Sequence, residues 1–326
     1  MKTLIYGAGP IGQWLALRLQ QAGKDVRLLA RNRTYDQLDR DGVVIVDGLT
    51  GERMTARVPL VKQLNPEDRY DLVVVAMQQR GRLEVCPELA CNPHVKTFLF
   101  LGNDLEGFRR YLDHLPAKKV LLGFPGVGGG WRGDDLVVMD REEPDDRFGK
   151  IFVGEIDGRK RQRTWLVGRL FDMAGIDVSY ENDIDGWLKY HFAFMAPTAG
   201  VILKKNGDLG AVAADPEAIH LYCRACREAG NVLKKIGYRR RQPGIFNLYY
   251  WLPRWLEPKV FAKLFASQAA ENRFGLHARC VGPELLELAE DFGAITALAG
   301  MKTPALDELI ECVRRSQPAE QQLEVA

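Results

Sequence analysis

Gly7, Gly9 and Gly12 in "TLIYGAGPIG" have the G-x-G-x-x-G spacing, and each glycine has a physical job if a strand precedes them and a helix follows. The first permits a tight turn, the second lets backbone approach a pyrophosphate, and the third lets helix and strand pack closely, with phosphate at the helix N-terminus. Pro10 and Ile11 then open the helix, where proline is favoured at the first position. The spacing predicts a dinucleotide site at Gly7, Gly9, Pro10, Ile11 and Gly12. Where such sites take NAD, the second strand ends in Asp or Glu, which accepts hydrogen bonds from the adenosine ribose. Here it ends in "LLARNR". Arg31 and Arg33 could instead pair with a 2′-phosphate through the planar guanidinium fork, which points to NADP(H); the alternative is two solvated loop arginines.

The elements that must position these residues are legible in the apolar pattern. "TLIYGAG" reads as strand, "PIGQWLALRLQQAG" as a helix with Ile11, Leu15 and Leu19 on one stripe and Gly23 at its end, and "DVRLLA" as the second strand. "YDLVVVAM", "VKTFLFLGN" and "KVLLGF" continue the alternation that marks βαβ units on a parallel sheet. After "FPGVGGGWRGDD" come "LVVMD" and "KIFVGEID", expected to pair antiparallel at the sheet edge, then one more amphipathic helix and a short strand, "IDVSYEN". From about Asp183 nearly everything reads as helix, and Ile219, Tyr222, Cys226, Ala229 and Leu233 form one core-facing stripe. The expected fold is α/β: a Rossmann-like doubly wound sheet over residues 1–182, binding NADP, followed by an all-helical substrate and catalytic domain over 183–326. The polar tail after Arg315 reads as frayed.

Composition narrows the function classes. A chain of 326 residues with 46% hydrophobic and 27% charged residues is that of a globular protein long enough for two cores. A net charge of +2 makes no electrostatic case for nucleic acid. No stretch reaches the roughly 18 apolar residues of a membrane span, and "MKTLIYGAG" breaks into glycine too early for a signal peptide, so a cytoplasmic location is expected. The cysteines Cys86, Cys91, Cys223, Cys226, Cys280 and Cys312 read as reduced, buried structural thiols, with a metal or redox role for the Cys223/Cys226 C-x-x-C pair as the alternative. No metal is expected.

Nearly end to end, the chain resembles the ketopantoate reductases (2-dehydropantoate 2-reductases), NADPH-dependent members of the 6-phosphogluconate dehydrogenase-like superfamily. The resemblance rests on "GAGPIG" with Arg31, "DLVVVAMQ", "LGND", "LLGFPGVGGGWRGDD", "DIDGWLKYHFAFMAPTAG", "NGDLG" and a late Glu upstream of "GMKTP". It implies reduction of a 2-keto acid to the 2-hydroxy acid, with ketopantoate as leading substrate, a place in pantothenate biosynthesis, and a small-molecule partner meeting the cofactor between the domains. By the same resemblance Lys189 matches the family's general-acid lysine and Glu284 a glutamate on a later helix, while Asn103 matches an asparagine near nicotinamide and substrate. The types suit the chemistry, because hydride delivery to a ketone leaves an alkoxide that needs an acid or cation within reach. A homodimer is left open.

The departures bear on the substrate. Gln78 stands where the family has a cofactor-binding lysine, and no asparagine lies between Trp187 and Lys205, where the family has substrate-facing ones. His191 is the titratable newcomer on that helix; two positions from Lys189 and so facing away from it, it reads as a packing residue or a support for the site, with a catalytic role as the alternative. "GVGGG" replaces a hydroxyl-bearing loop and reads as a flexible or closely approached segment over the site, or a surface turn. The segment 239–261 is more aromatic and basic than in the family, and Asn272 with Arg273 takes the place of a serine-rich, substrate-touching stretch. Two other readings stay open: a related dehydrogenase acting on a larger or more apolar carbonyl, and a non-catalytic dinucleotide-binding sensor.

Overall fold

Continuous apolar runs build the larger sheet. β1 (Thr3–Tyr6), β6 (Leu72–Val75) and β7 (Phe98–Leu101) are buried at every residue, as expected of parallel strands covered on both faces. The computed structural model describes residues 1–141, 143, 146–239, 244–267, 270, 274 and 283–316. The chain divides into two compact units, Met1–Asp185 and Gly186–Ala326.

In the first unit, β1 pairs in parallel with β2 (Val26–Leu29) on one side and β6 on the other. β5 (Leu60–Val61) lies beyond β2; β7, β8 (Val120–Pro125), β11 (Lys150–Glu155) and β12 (Asp177–Tyr180) follow beyond β6. The strand order therefore reverses between β1 and β6, the topological switch point at which α/β sheets place their ligands. Helices α1 (Pro10–Gln21), α2 (Asn32–Asp41), α3 (Gln79–Glu84), α4 (Cys86–Ala90), α5 (Arg109–Leu112) and α6 (Gln162–Asp172) connect or cover the strands. Leu15 and Leu19 of α1 and Val167 and Phe171 of α6 are buried in one core with Ile5, Leu28, Val74 and Leu99.

A second sheet, unforeseen in the apolar pattern, consists of β3 (Val43–Asp47), β4 (Arg53–Ala56), β9 (Gly128–Arg132) and β10 (Asp135–Met139), in the order β4-β3-β10-β9. It corrects two expectations. "LVVMD" and "KIFVGEID" do not pair with each other, because β10 is taken by β9 on one edge and β3 on the other, while β11 pairs antiparallel with β8. The last three glycines of "GVGGG" are not a surface turn but begin β9, paired with β10 across a turn at Gly133. A Cβ on Gly129 would lie 3.4 Å from Pro10, so the glycine strand lies close beside the start of α1.

Buried ions tie α1 to this second sheet. Asp140, directly after β10, accepts hydrogen bonds from Trp14 Nε1 (2.8 Å) and Arg18 Nη2 (2.7 Å), and the Arg18 guanidinium stacks 3.5 Å from the Phe148 ring. The next residue, Arg141, pairs with Asp47, whose Oδ1 also caps the turn at Leu49 and Thr50.

In the second unit, α7 (Ile184–Lys204), α8 (Leu209–Ala213), α9 (Pro216–Lys235), α10 (Leu248–Trp251), α11 (Glu257–Phe265), α12 (Pro283–Ala299) and α13 (Pro304–Arg315) are the helices. The stripe Ile219, Tyr222, Cys226, Ala229 and Leu233 on α9 is fully buried. The aromatic segment is pinned by Glu257, buried at the start of α11, which takes Arg227 and His220 of α9 as partners. Glu228 accepts from the N–H groups of Ala305 and Leu306, both at 2.9 Å, and so caps α13. Among the described residues no helix is long and apolar enough to cross a membrane. Cys86, Cys223 and Cys226 are buried, and burial pushes the Cys86 thiol up to about 11 and the other two higher still. Two depart from the expected burial, Cys91, exposed just after the short α4, and Cys312, half-buried; Cys280 lies outside the described residues.

Candidate active site

The glycine turn lies at the carboxyl end of β1, and each of its glycines meets a different constraint. Gly7 has φ +113°, and a Cβ there would be 2.7 Å from the Ala76 carbonyl. A Cβ on Gly12 would be 1.8 Å from the Gly7 carbonyl, so only hydrogen fits where the helix crosses the strand end. Gly9 differs: it has ordinary backbone, and a Cβ would meet nothing within 4 Å. Gly9 is the N-cap of α1 with no side-chain cap, and the first turn carries no acidic residue, so neither offers an anion to the N–H groups that begin the helix. Pro10 and Ile11 are the first two residues of that turn, and Gln13 donates to the Ala8 carbonyl at 2.8 Å, which braces it. The open face at Gly9 and the uncapped helix start fit a dinucleotide pyrophosphate.

A cavity of about 750 Å³ opens beside this turn, lined by Gly7, Ala8, Gly9, Gln13, Arg31 and Trp131 among others. Arg31 follows Ala30 at the end of β2 and is the N-cap of α2. It is exposed but partnered: its Nη2 donates to the Tyr6 hydroxyl (2.7 Å) and to both oxygens of Glu88 (2.7 and 2.9 Å). Burial and the adjacent Glu88 carboxylate push the Tyr6 phenol well above its usual range, so it stays a protonated hydroxyl. Arg33 is exposed, as is Gln78, the N-cap of α3 after β6.

Asn103 lies in the turn after β7, and the residue that places it is one the sequence did not single out. Arg82 of α3 is almost wholly buried and uses its guanidinium on backbone: Nη1 donates to the carbonyls of Met77 (2.8 Å) and Leu101 (2.9 Å), and Nη2 to that of Asn103. Its Nε reaches the Tyr111 hydroxyl at 3.2 Å. Gly102, with φ +135°, leaves the room this needs, since a Cβ there would be 2.2 Å from Arg82 Nη1. The guanidinium thus joins the ends of β6 and β7 and sets the backbone at Asn103, whose Oδ1 is buried without a hydrogen-bond partner. An orphaned acceptor of this kind suits a ligand donor.

In the second unit Lys189 is on α7 and is buried, with 4% exposure. Its ammonium lies 5.1 Å from the Tyr238 ring centre, and the adjacent Tyr190 donates its hydroxyl to the Tyr238 carbonyl at 2.7 Å. His191 stacks on Trp187 at 5.0 Å, a packing role within the helix. Glu284 is the second residue of α12; its side chain, and all of Asn272 and Arg273, lie outside the described residues.

Within the first unit the structure gathers Gly7, Gly9, Pro10, Ile11, Gly12 and Arg31 about one turn. The residues that sequence reasoning missed there are Tyr6, Arg82 and Glu88. Glu88 stands 57 positions from Arg31, so no local spacing could signal it. Arg82 carried a faint signal: a charged residue near apolar strand ends beside a glycine that has no loop to make flexible.

Residues 3–150 match the family described as ketopantoate reductase PanE/ApbA. The chain is 27% identical to a 2-dehydropantoate 2-reductase of Archaeoglobus fulgidus over 73% of its own length and 75% of that protein. Among solved structures it has the fold of a 2-dehydropantoate 2-reductase from Geobacter metallireducens GS-15, with TM-score 0.76, 17% identity, and coverage of 97% of this chain and 100% of the other. It also has the fold of D-mandelate dehydrogenase in complex with NADH, with TM-score 0.74, 15% identity, and coverage of 97% and 98%. The family uses an NAD(P)H dinucleotide, and the family and these named proteins are oxidoreductases. Over residues 3–150 the chain thus matches the ketopantoate reductase PanE/ApbA family, and it is similar to a 2-dehydropantoate 2-reductase along most of its length.

Proposed function

We propose that this chain is an NADPH-dependent reductase of a 2-keto acid, with 2-dehydropantoate as the leading substrate and pantoate as product. Residues 1–182 bind the dinucleotide and residues 183–326 supply substrate contacts and the proton. The observation that carries the reading is a glycine turn at the switch point whose second strand leads into Arg31 rather than a carboxylate.

A bound nicotinamide supplies the hydride to the carbonyl carbon. The chain's part is to stabilise and protonate the oxygen that becomes an alkoxide. Lys189 is suited to both tasks, because an ammonium shielded from bulk water interacts more strongly with a developing anion. Glu284 orients that lysine or accepts a substrate hydroxyl, Asn272 contributes to the substrate contacts, and Asn103 Oδ1 offers a buried acceptor. Gln78 hydrogen-bonds the cofactor where the family has a lysine. The reaction is cytoplasmic in this reading.

A second reading, a larger or more apolar carbonyl substrate, is favoured by α7 itself. After Lys189 that helix carries no asparagine up to Lys204, and its Phe192 and Phe194 pack on Phe292 and Phe274. The test is NADPH absorbance loss with purified protein, ketopantoate, and a panel of aliphatic and aromatic 2-keto acids. Turnover of ketopantoate well above the panel supports the first reading, preference for an aromatic acid supports the second, and no turnover with any carbonyl despite dinucleotide binding overturns both.

A further inference from the structure

We propose that Glu88 sets the cofactor preference of this site: its carboxylate occupies the guanidinium that a ribose 2′-phosphate would use and offers free ribose hydroxyls an acceptor, so the chain takes NADH as well as NADPH. The inference deepens the proposed function and rests on its placement of the adenosine ribose beside Arg31.

In an NAD site the acceptor for the ribose hydroxyls comes from the end of the second strand. Here that position is arginine, yet a carboxylate arrives from elsewhere. α4, opened by Cys86 and Pro87, places both oxygens of Glu88 within 2.9 Å of Arg31 Nη2. The pair forms part of the wall of a cavity of about 610 Å³ that also involves Asn32, Lys62, Asn65 and Cys91. Lys62 is the second cation there; its ammonium lies 4.4 Å from the Tyr35 ring, and its carbonyl faces Arg31 Nε at 3.4 Å. The cavity thus holds two cations and one anion.

Exposure decides how the pair behaves. The Arg31 and Glu88 side chains are 45% and 34% exposed, so the ion pair is solvated and easily displaced. A phosphate dianion pairs more strongly with a guanidinium than a carboxylate does, and can take Arg31. It must then sit beside the displaced Glu88 charge, which weakens the gain. Free ribose hydroxyls meet no such repulsion and find an acceptor in the same carboxylate. Tyr6, held as a neutral hydroxyl, fixes Arg31 from the strand side in either case.

The experiment is a fluorescence or calorimetric titration of NADPH, NADH, 2′,5′-ADP and 5′-AMP against the full chain, with Glu88→Gln and Arg31→Ala alongside and thermal melts to establish folding. The wild type is expected to bind NADPH and NADH within about tenfold of each other. Glu88→Gln should tighten NADPH and 2′,5′-ADP by about tenfold, the effect of freeing one charge-assisted contact, and loosen NADH. Arg31→Ala should weaken only the phosphorylated pair. If Glu88→Gln leaves the NADPH to NADH ratio unchanged while Arg31→Ala still lowers it, Glu88 has no part in the choice and the proposal falls alone. If neither dinucleotide binds the folded wild type, the underlying placement falls and takes the proposal with it.

Discussion

The two units position their chemical groups by different means. In the first, backbone does most of it: a glycine turn open at Gly9, a helix start without a capping side chain, and strand ends drawn together by Arg82 through three carbonyl groups. In the second, Lys189 is a side chain on a long helix, set by the aromatic residues around it. A site made of backbone is fixed by steric rules that leave a spacing in the sequence. A site made of a helical side chain leaves none, because its neighbours come from distant segments.

Replacing Lys189 with Ala gives the largest effect and the sharpest separation of the two units. In the proposed reaction, loss of the proton donor lowers kcat by about a thousandfold, the middle of the range for a general acid. NADPH affinity, which belongs to the first unit, should stay within about threefold. Stopped-flow reduction with a fluorescence titration reads both. A drop in kcat of less than about threefold would remove Lys189 from the chemistry, and a parallel loss of NADPH binding would mean that the units do not divide the work this way.

The division also explains what could be read in advance. The dinucleotide turn was legible because Gly7 and Gly12 allow no side chain, a constraint that shows as fixed spacing. The parallel strands were legible because β1, β6 and β7 are buried on both faces and so are apolar throughout. The second sheet was not. β9 is glycine-rich and half exposed, β4 alternates exposed with half-buried residues, and neither has an apolar face that would mark it before its partners are known. Lys189 was found through resemblance alone, since a lysine after Trp187 looks like any helix surface residue until Tyr238 is seen beside it. Glu88 and Arg82 act across long sequence separations and on partners with no periodic signal.

Both units also bury charge, and Asp140 and Glu257 test whether they do so alike. Asp140→Ala strips Trp14 and Arg18 of their acceptor where the Arg18 and Asp140 side chains are 4% and 2% exposed. The stranded guanidinium should cost about 3 kcal/mol, the lower end for removing one partner of a buried pair. Glu257→Ala strips Arg227 and His220, but these are 30% and 17% exposed and can recover water. Its cost should be smaller, about 1–2 kcal/mol. Urea unfolding of both variants measures the order. A larger loss for Glu257→Ala would mean that the helical unit depends on its buried acid more than the sheet unit does on its own.

The finest test compares two glycines of one turn, where stability and binding should come apart. A methyl group at Gly12 would lie 1.8 Å from the Gly7 carbonyl, so Gly12→Ala must push helix from strand and should cost about 2 kcal/mol, as overpacking does. At Gly9 the backbone has φ −75° and the methyl group meets empty space. Gly9→Ala should therefore leave the unfolding midpoint nearly unchanged, within about 0.5 kcal/mol. It fills only the approach a pyrophosphate needs, so NADPH affinity should fall by about tenfold or more, as when backbone donors are held away from an anion. Thermal melts with a fluorescence titration separate the two variants. If Gly9→Ala binds NADPH as the parent does, the open face at Gly9 is not where phosphate lies, and the glycine spacing serves only the packing of α1 on β1.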